Sequence, residues 1–294
     1  MKRDAAAAGS SVGAFPKSIS GSGRMDHWTE AYQNLQRIPQ SSWRAYCDAL
    51  NRDLIARWWG GEKKGPLLKT DLFEEAMGSG LCRPLSEIGF PVFGIDYSRQ
   101  VAAQALNRND GLNGVVADVR QLPYRTGVFD GVLSTSTLDH FPSRSELLQS
   151  LREIARVLRP GGSLILTLDN LGNPMIRLRQ LLPFRLLHRL GILPYYVGYT
   201  CSFRTFRSIL KSAGFELLEA TAIAHCPRVP AILLTRWADR CKSSKCRLKV
   251  QSILMAFEAM AGWPTRYVTG NYFAIKAVKT SPEQLLPNRV GNKD

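Results

Sequence analysis

The sequence predicts an α/β fold, a mostly parallel sheet with helices on both faces, and three observations predict it. From about Leu67 onward, short apolar runs alternate with stretches of helical spacing, the pattern of strand–helix–strand crossovers. Arg159-Pro160-Gly161-Gly162 reads as a helix stop and turn before the next strand. A chain of 294 residues, 45% hydrophobic and 21% charged, has the size and balance to bury a sizeable core.

Taken in order, residues 1–24 are rich in Ala, Gly and Ser and predict a disordered tail. Residues 25–66 predict an N-terminal helical cap. Trp28, Tyr32 and Leu35 recur at helical spacing, as do Trp43, Tyr46, Leu50 and Leu54, with Pro39 between the two helices and Gly60-Gly61 closing the region. The main domain is expected over 67–279. Its strands are read at LLKTDLF, PVFGIDYS, GVVADV, FDGVLSTST, SLILTLDN, FELLEATAIAH and GNYFAIKAVK, with helices over 81–88, 100–106 and 145–158 between them. Helical insertions are expected at about 171–213, punctuated by Pro174, Pro183 and Pro194, and at about 227–266. Residues 280–294 read as a C-terminal tail.

Composition narrows the function classes. Six scattered cysteines suit reduced thiols in a cytoplasmic protein rather than a disulfide framework. Cys241 and Cys246 lack the further Cys or His that a metal site needs, so no metal is expected. No stretch supplies the ~20 apolar residues that span a bilayer, and the N-terminus has no signal-peptide core. The net charge of +15 is concentrated. Between Asn170 and Phe215 there is no acid, while Arg177, Arg179, Arg185, Arg189, Arg204, Arg207 and Lys211 fall there. A second basic run spans Arg236 to Lys249, with Asp239 its only acid. Such segments attract an anionic substrate, a membrane surface or nucleic acid, or form a solvated face.

A nucleotide held at the carboxyl ends of parallel strands needs a tight small-residue turn, an acid for the ribose and a contact to the base. The first strand runs into Glu74-Glu75-Ala76-Met77-Gly78-Ser79-Gly80, where small residues at 76, 78 and 80 let backbone approach a ligand. Asp96, at the end of the second strand in GIDYS, can accept from vicinal hydroxyls, because Ser98 suits the helix cap better. Asp118, in ADVRQLP after the third strand, can accept from an exocyclic amine. An ordinary strand–helix turn, a cap and a turn Asp are the structural alternatives.

Over about 67–170 these motifs, with FDGVLSTSTLDHF and RVLRPGGSLILT, resemble the class I S-adenosylmethionine-dependent methyltransferases of the small-molecule group. The resemblance implies a Rossmann-like three-layer sandwich whose sheet has seven strands, the last antiparallel, with S-adenosylmethionine as cofactor. It implies that Glu74, Ala76, Gly78, Gly80, Asp96, Tyr97, Asp118, Val119 and Ser134 line the cofactor, with Glu74 near its amino group, Asp96 at the ribose and Asp118 with Val119 at adenine. Ala76 departs from the family's usual glycine, and Asp71 within LKTDLFEEA is also unusual.

Methyl transfer requires alignment of the acceptor and, for O–H or N–H acceptors, removal of a proton. The acceptor is expected near the end of the fourth strand. There His140 is the candidate general base and Asp139 its partner, against the alternative that they cap and pack. Asp169, Asn170, Asn173, Tyr199 and His225 are candidate substrate contacts, with Tyr195 and Tyr196 in the same pocket. The acceptor class read here is a small molecule or a lipid-like compound. The segment 175–193 is either a lid over the site or a surface for anionic lipid. A nucleic-acid methyltransferase lacks its Asn/Asp-Pro-Pro-aromatic motif here, and a dehydrogenase does not account for the Asp118 segment. A non-catalytic binding protein of the same fold is the remaining alternative.

Overall fold

The structure, a computed structural model, describes residues 29, 31–36, 41–60, 65–78, 80–189, 197–241 and 243–280. The tail expected at 1–24, residues 281–294, and Tyr195 and Tyr196 lie outside the described residues.

Residues 31–36 are helical and precede α1 (Ser41–Trp59), which carries Tyr46, Leu50, Leu54 and Trp58 inward. β1 (Leu67–Lys69) is short and fully buried. Its Leu67 and Leu68 enter different core clusters, as successive strand residues must. A single helical turn, α2 (Phe73–Ala76), and α3 (Cys82–Glu87) lead to β2 (Val92–Asp96). Ser98 caps α4 (Arg99–Arg108) by accepting from the Val101 N–H, and the chain returns in β3 (Asn113–Val116).

β4 (Phe129–Thr135) is followed by a 3-10 turn, Leu138–His140, and then by α5 (Arg144–Val157). Ser143 and Glu146 occupy the positions of a capping box at its start, and Ser143 Oγ accepts from the Glu146 N–H at 3.3 Å. β5 (Leu158–Asp169) runs into α6 (Pro174–Leu181), which Asn173 caps, and α7 (Phe184–Arg189). Then come α8 (Phe203–Ser212), β6 (Phe215–Ile223), α9 (Arg228–Arg240), α10 (Ser244–Ala256), α11 (Arg266–Thr269) and β7 (Tyr272–Lys279).

The seven strands lie in the order β3-β2-β1-β4-β5-β7-β6. β7 runs antiparallel to both β5 and β6, and the other neighbours pair parallel. The expected fold class is what the chain adopts. The turn expected at 159–162 instead lies inside β5. Pairing with β4 starts at Phe129 opposite Leu158 and resumes at Gly131 opposite Ser163, so these residues bulge out, with Gly161 at φ +75°.

Helices cover both sheet faces. α1, α3, α4, α9 and α10 contribute to one cluster and α5 and α8 to the other. Trp59 fastens α1 to the sheet by donating from Nε1 to Ser163 Oγ at 2.7 Å. A Cβ on Gly131 would sit 3.2 Å from the Trp59 ring, so this close approach uses a glycine. Because β1 is flanked by β2 and β4, the strand order reverses direction there. That reversal opens a crevice at the carboxyl ends, where open α/β sheets bind ligands.

Candidate active site

At the end of β1 the chain buries a lysine. Lys69 is 1% exposed, and an ammonium so deep needs carboxylate partners. It donates to Asp71 Oδ1 at 3.1 Å, to the Asp71 carbonyl at 2.7 Å and to Glu75 Oε2 at 3.0 Å. Glu75 Oε1 in turn accepts from the Leu81 and Cys82 N–H groups. Against burial, which alone would raise it, Lys69 and the Leu81 amide hold the Glu75 carboxyl below its usual range. Neither Lys69 nor Glu75 was singled out as a site residue from sequence; a lysine at the end of an apolar run with a glutamate six residues on was the available signal.

This pair reshapes the turn expected after β1. The strand stops at Lys69 and α2 intervenes, so Glu74 stands on a helix rather than at a strand tip, 3.9 Å from the Arg44 guanidinium. Ala76 is buried, and its carbonyl accepts from Tyr32 OH at 3.2 Å. Gly78 and Gly80 have φ of +89° and +103°, and a Cβ on Gly80 would lie 2.5 Å from Glu75 Oε1. The glycines thus let the chain wrap the Glu75 carboxylate. Ser79 lies outside the described residues.

Asp96 closes β2 with its carboxylate buried. Oδ2 accepts from the Leu72 N–H at 3.0 Å and Oδ1 from the Ser98 N–H at 2.8 Å. Burial pushes it up to about 7, against the pull of these amides. Each bond uses one lone pair, so acceptor capacity is left on both oxygens. Tyr97 follows, half-buried. On the neighbouring strand, Asp96 pairs in register with Val116, which puts Asp118 just beyond on the same edge. The Asp118 carboxylate lies against Arg120, whose Nε is 3.0 Å from both oxygens, and Val119 is buried in the core. Across the crevice Ser134 accepts from Thr70 Oγ1 at 2.9 Å, and Thr137 Oγ1 donates to Asp71 Oδ2 at 3.0 Å.

A second cluster stands beyond β4 and β5. Ser136, at φ +50°, adopts the left-handed conformation and turns the chain into Leu138–His140. Asp139 is buried; Oδ2 accepts from the Asp169 N–H at 3.2 Å, and Oδ1 lies 3.8 Å from His140 Nε2 without a hydrogen-bond partner among the described residues. Burial holds the Asp139 carboxyl above its usual range. Asp169 is equally buried, yet Arg179 at 2.7 Å and Arg228 at 3.2 Å overcome that effect and hold it below. Backbone bonds from Gly198 to the Asp139 carbonyl and from Tyr199 to the Phe141 carbonyl lay residues 198–199 on this turn.

Asn170, Asn173 and His225 are engaged within the protein. Both asparagine Nδ2 groups donate to the Gly270 carbonyl, and Asn173 caps α6. The His225 ring contacts Thr269 Oγ1 at 2.7 Å and the Ala222 carbonyl at 3.0 Å. The structure therefore brings Asp139, His140 and Asp169 together and gathers Asp96, Ser134 and Asp118 along the same edge. It ties Asn170, Asn173 and His225 into the scaffold around α11. The clamp from Arg179 and Arg228 was not foreseen, because it joins residues from two separate insertions.

The family model described as Methyltransferase domain matches residues 76–166. Over these residues the chain carries a methyltransferase domain. The chain is similar to Methyltransferase GfsG of Streptomyces halstedii, 29% identical over 176 residues, covering 53% of this chain and 58% of that protein. It is 30% identical over 102 residues to the protein named Probable tRNA methyltransferase 9B of Mus musculus, covering 35% of this chain and 19% of the relative. The chain thus spans about a fifth to just over half of these relatives. Among solved structures, phosphoethanolamine N-methyltransferase 2 of Haemonchus contortus shares the fold at TM-score 0.57 and 22% identity, over 91% of this chain and 62% of that one.

The methyltransferase domain's cofactor is S-adenosylmethionine. The donor chemistry of the crevice fits it: a buried carboxylate with spare acceptor capacity at the tip of β2 and a second one just past the end of β3. Asp96 would hold the ribose hydroxyls, and Asp118 would share its carboxylate between Arg120 and the adenine amine. Among the described residues no helix is long and apolar enough to cross a membrane.

Proposed function

We propose that this chain transfers a methyl group from S-adenosylmethionine to an oxygen or nitrogen of a small-molecule or lipid-like acceptor. The observation that carries the reading is the Asp139–His140 pair at the end of β4, beside the crevice that suits the cofactor. When bound, S-adenosylmethionine supplies an activated methyl group. The protein's part is then to place the acceptor and handle its proton.

His140, partly exposed, would take the proton of an acceptor O–H or N–H. Asp139 would position the imidazole from its buried site and stabilise its protonated form. Arg179 and Arg228 neutralise Asp169, so this wall does not present an uncompensated carboxylate to the acceptor. The net charge of +15 and the relative named as a tRNA methyltransferase support a second reading, an RNA acceptor.

The test is transfer of tritium from labelled S-adenosylmethionine into a cell extract separated into lipid, small polar and nucleic-acid pools. Label in the lipid or small polar pool supports the first reading, and label confined to nucleic acid supports the second. With the acceptor found, His140→Ala should lower turnover by about a hundredfold or more while cofactor affinity stays near wild type. Undiminished turnover would remove His140 from the mechanism.

A further inference from the structure

The two insertions show apolar side chains on their outer faces as well as their inner ones. α6 buries Ile176 and sends Arg179 to Asp169, yet Met175, Leu178 and Leu181 are exposed, Leu181 at 75%. On α9, Val229, Leu233 and Trp237 follow one another at four-residue steps, a single helix face, with Leu233 60% and Trp237 55% exposed. Isolated exposed leucines are ordinary, but six large apolar groups on two helices anchored to one carboxylate are not. The two helices share an anchor, because Asp169 accepts from Arg179 of α6 and from Arg228, the first residue of α9.

The charge around these faces has one sign. No acid occurs between Asn170 and Phe215, and the only one between Arg236 and Lys249, Asp239, is turned inward onto Ser41 and Ser42 of α1. Arg177 of α6, Arg189 of α7, Arg240 of α9 and Lys245 of α10 are exposed, and α10 packs against α9. An apolar strip flanked by cations is complementary to an anionic lipid surface, where the strip enters the acyl boundary and the cations meet the head groups.

We propose that the outward faces of α6 and α9 dock this chain on an anionic lipid bilayer. The contact is peripheral and reversible, and it sets the carboxyl edge of the sheet next to the membrane. It does not depend on the identity of the methyl acceptor.

The experiment is co-sedimentation of the full chain with vesicles of phosphatidylcholine alone or with about a third phosphatidylserine, repeated in salt high enough to shorten screening to roughly 3 Å. Wild type should bind the anionic vesicles, bind neutral ones at least about tenfold more weakly, and release in salt. The double variant Leu178→Ser with Leu233→Ser should lose about tenfold or more in affinity for anionic vesicles. Its circular dichroism and S-adenosylmethionine binding should match wild type. Absence of binding, equal binding to both vesicle types, or a variant that binds like wild type overturns the proposal. So does a dimer that the same substitutions dissociate in a protein that ignores vesicles, because the face would then join two copies. Loss of methyl transfer with vesicle binding intact would instead count against the activity alone.

Discussion

At the scale of single residues, the buried Lys69–Glu75 pair carries the largest consequence. Neither group meets water, and each satisfies the other while Glu75 also holds two backbone amides. Removing one partner strands a charge in the interior, which costs about 3–5 kcal/mol. Lys69→Met should therefore lower stability by about that much in urea unfolding, and Lys69→Met with Glu75→Gln should recover part of it. A single variant as stable as wild type would mean that the pair contributes little. The pair was poorly legible in the sequence, because a lysine in LLKTDLF reads as a break in an apolar run. The carboxylates Asp96 and Asp118 were legible because strand ends can be located from alternation. Their protein partners, Leu72, Ser98 and Arg120, were not, because loop conformation decides them.

At the scale of elements, the strands and the helices α3, α4 and α5 followed from apolar spacing and punctuation. The cap at Ser98 is local chemistry that survives into the fold. The misread turn after β1 has a physical cause: small residues at 76, 78 and 80 suggest a ligand loop, whereas here they accommodate a helical turn and the carboxylate it encloses. Long-range seating was also hidden. Residues 198–199 lie on the turn that holds Asp139 and His140, and a Cβ on Gly198 would lie 2.2 Å from the Phe141 carbonyl oxygen. Gly198→Ala must push that backbone away. It should reduce turnover by about tenfold or more, since small misplacements of reacting groups are costly. Steady-state kinetics would measure it, and an unchanged kcat would show that this seating is irrelevant to the chemistry.

At the scale of the whole molecule, the strand order makes one crevice where β1 parts from its two neighbours, and both acid-bearing strand tips open on the same edge. Apolar periodicity made the sheet and its helical layers legible. The approach of α6 and α9 over Asp169 was not, because contacts between separate insertions leave no periodic trace. On the proposed function, Asp96 grips the cofactor's ribose. Its folded pKa stands at about 7, and donating hydroxyls favour the ionised carboxylate, so affinity should strengthen as pH rises through that value. The deciding measurement is calorimetric titration of S-adenosylmethionine at pH values on either side of 7, with wild type and Asp96→Asn. Wild type should bind more tightly on the alkaline side, and the variant should bind about tenfold or more weakly with a smaller pH response. A variant whose titrations overlay those of wild type on both sides would contradict the account.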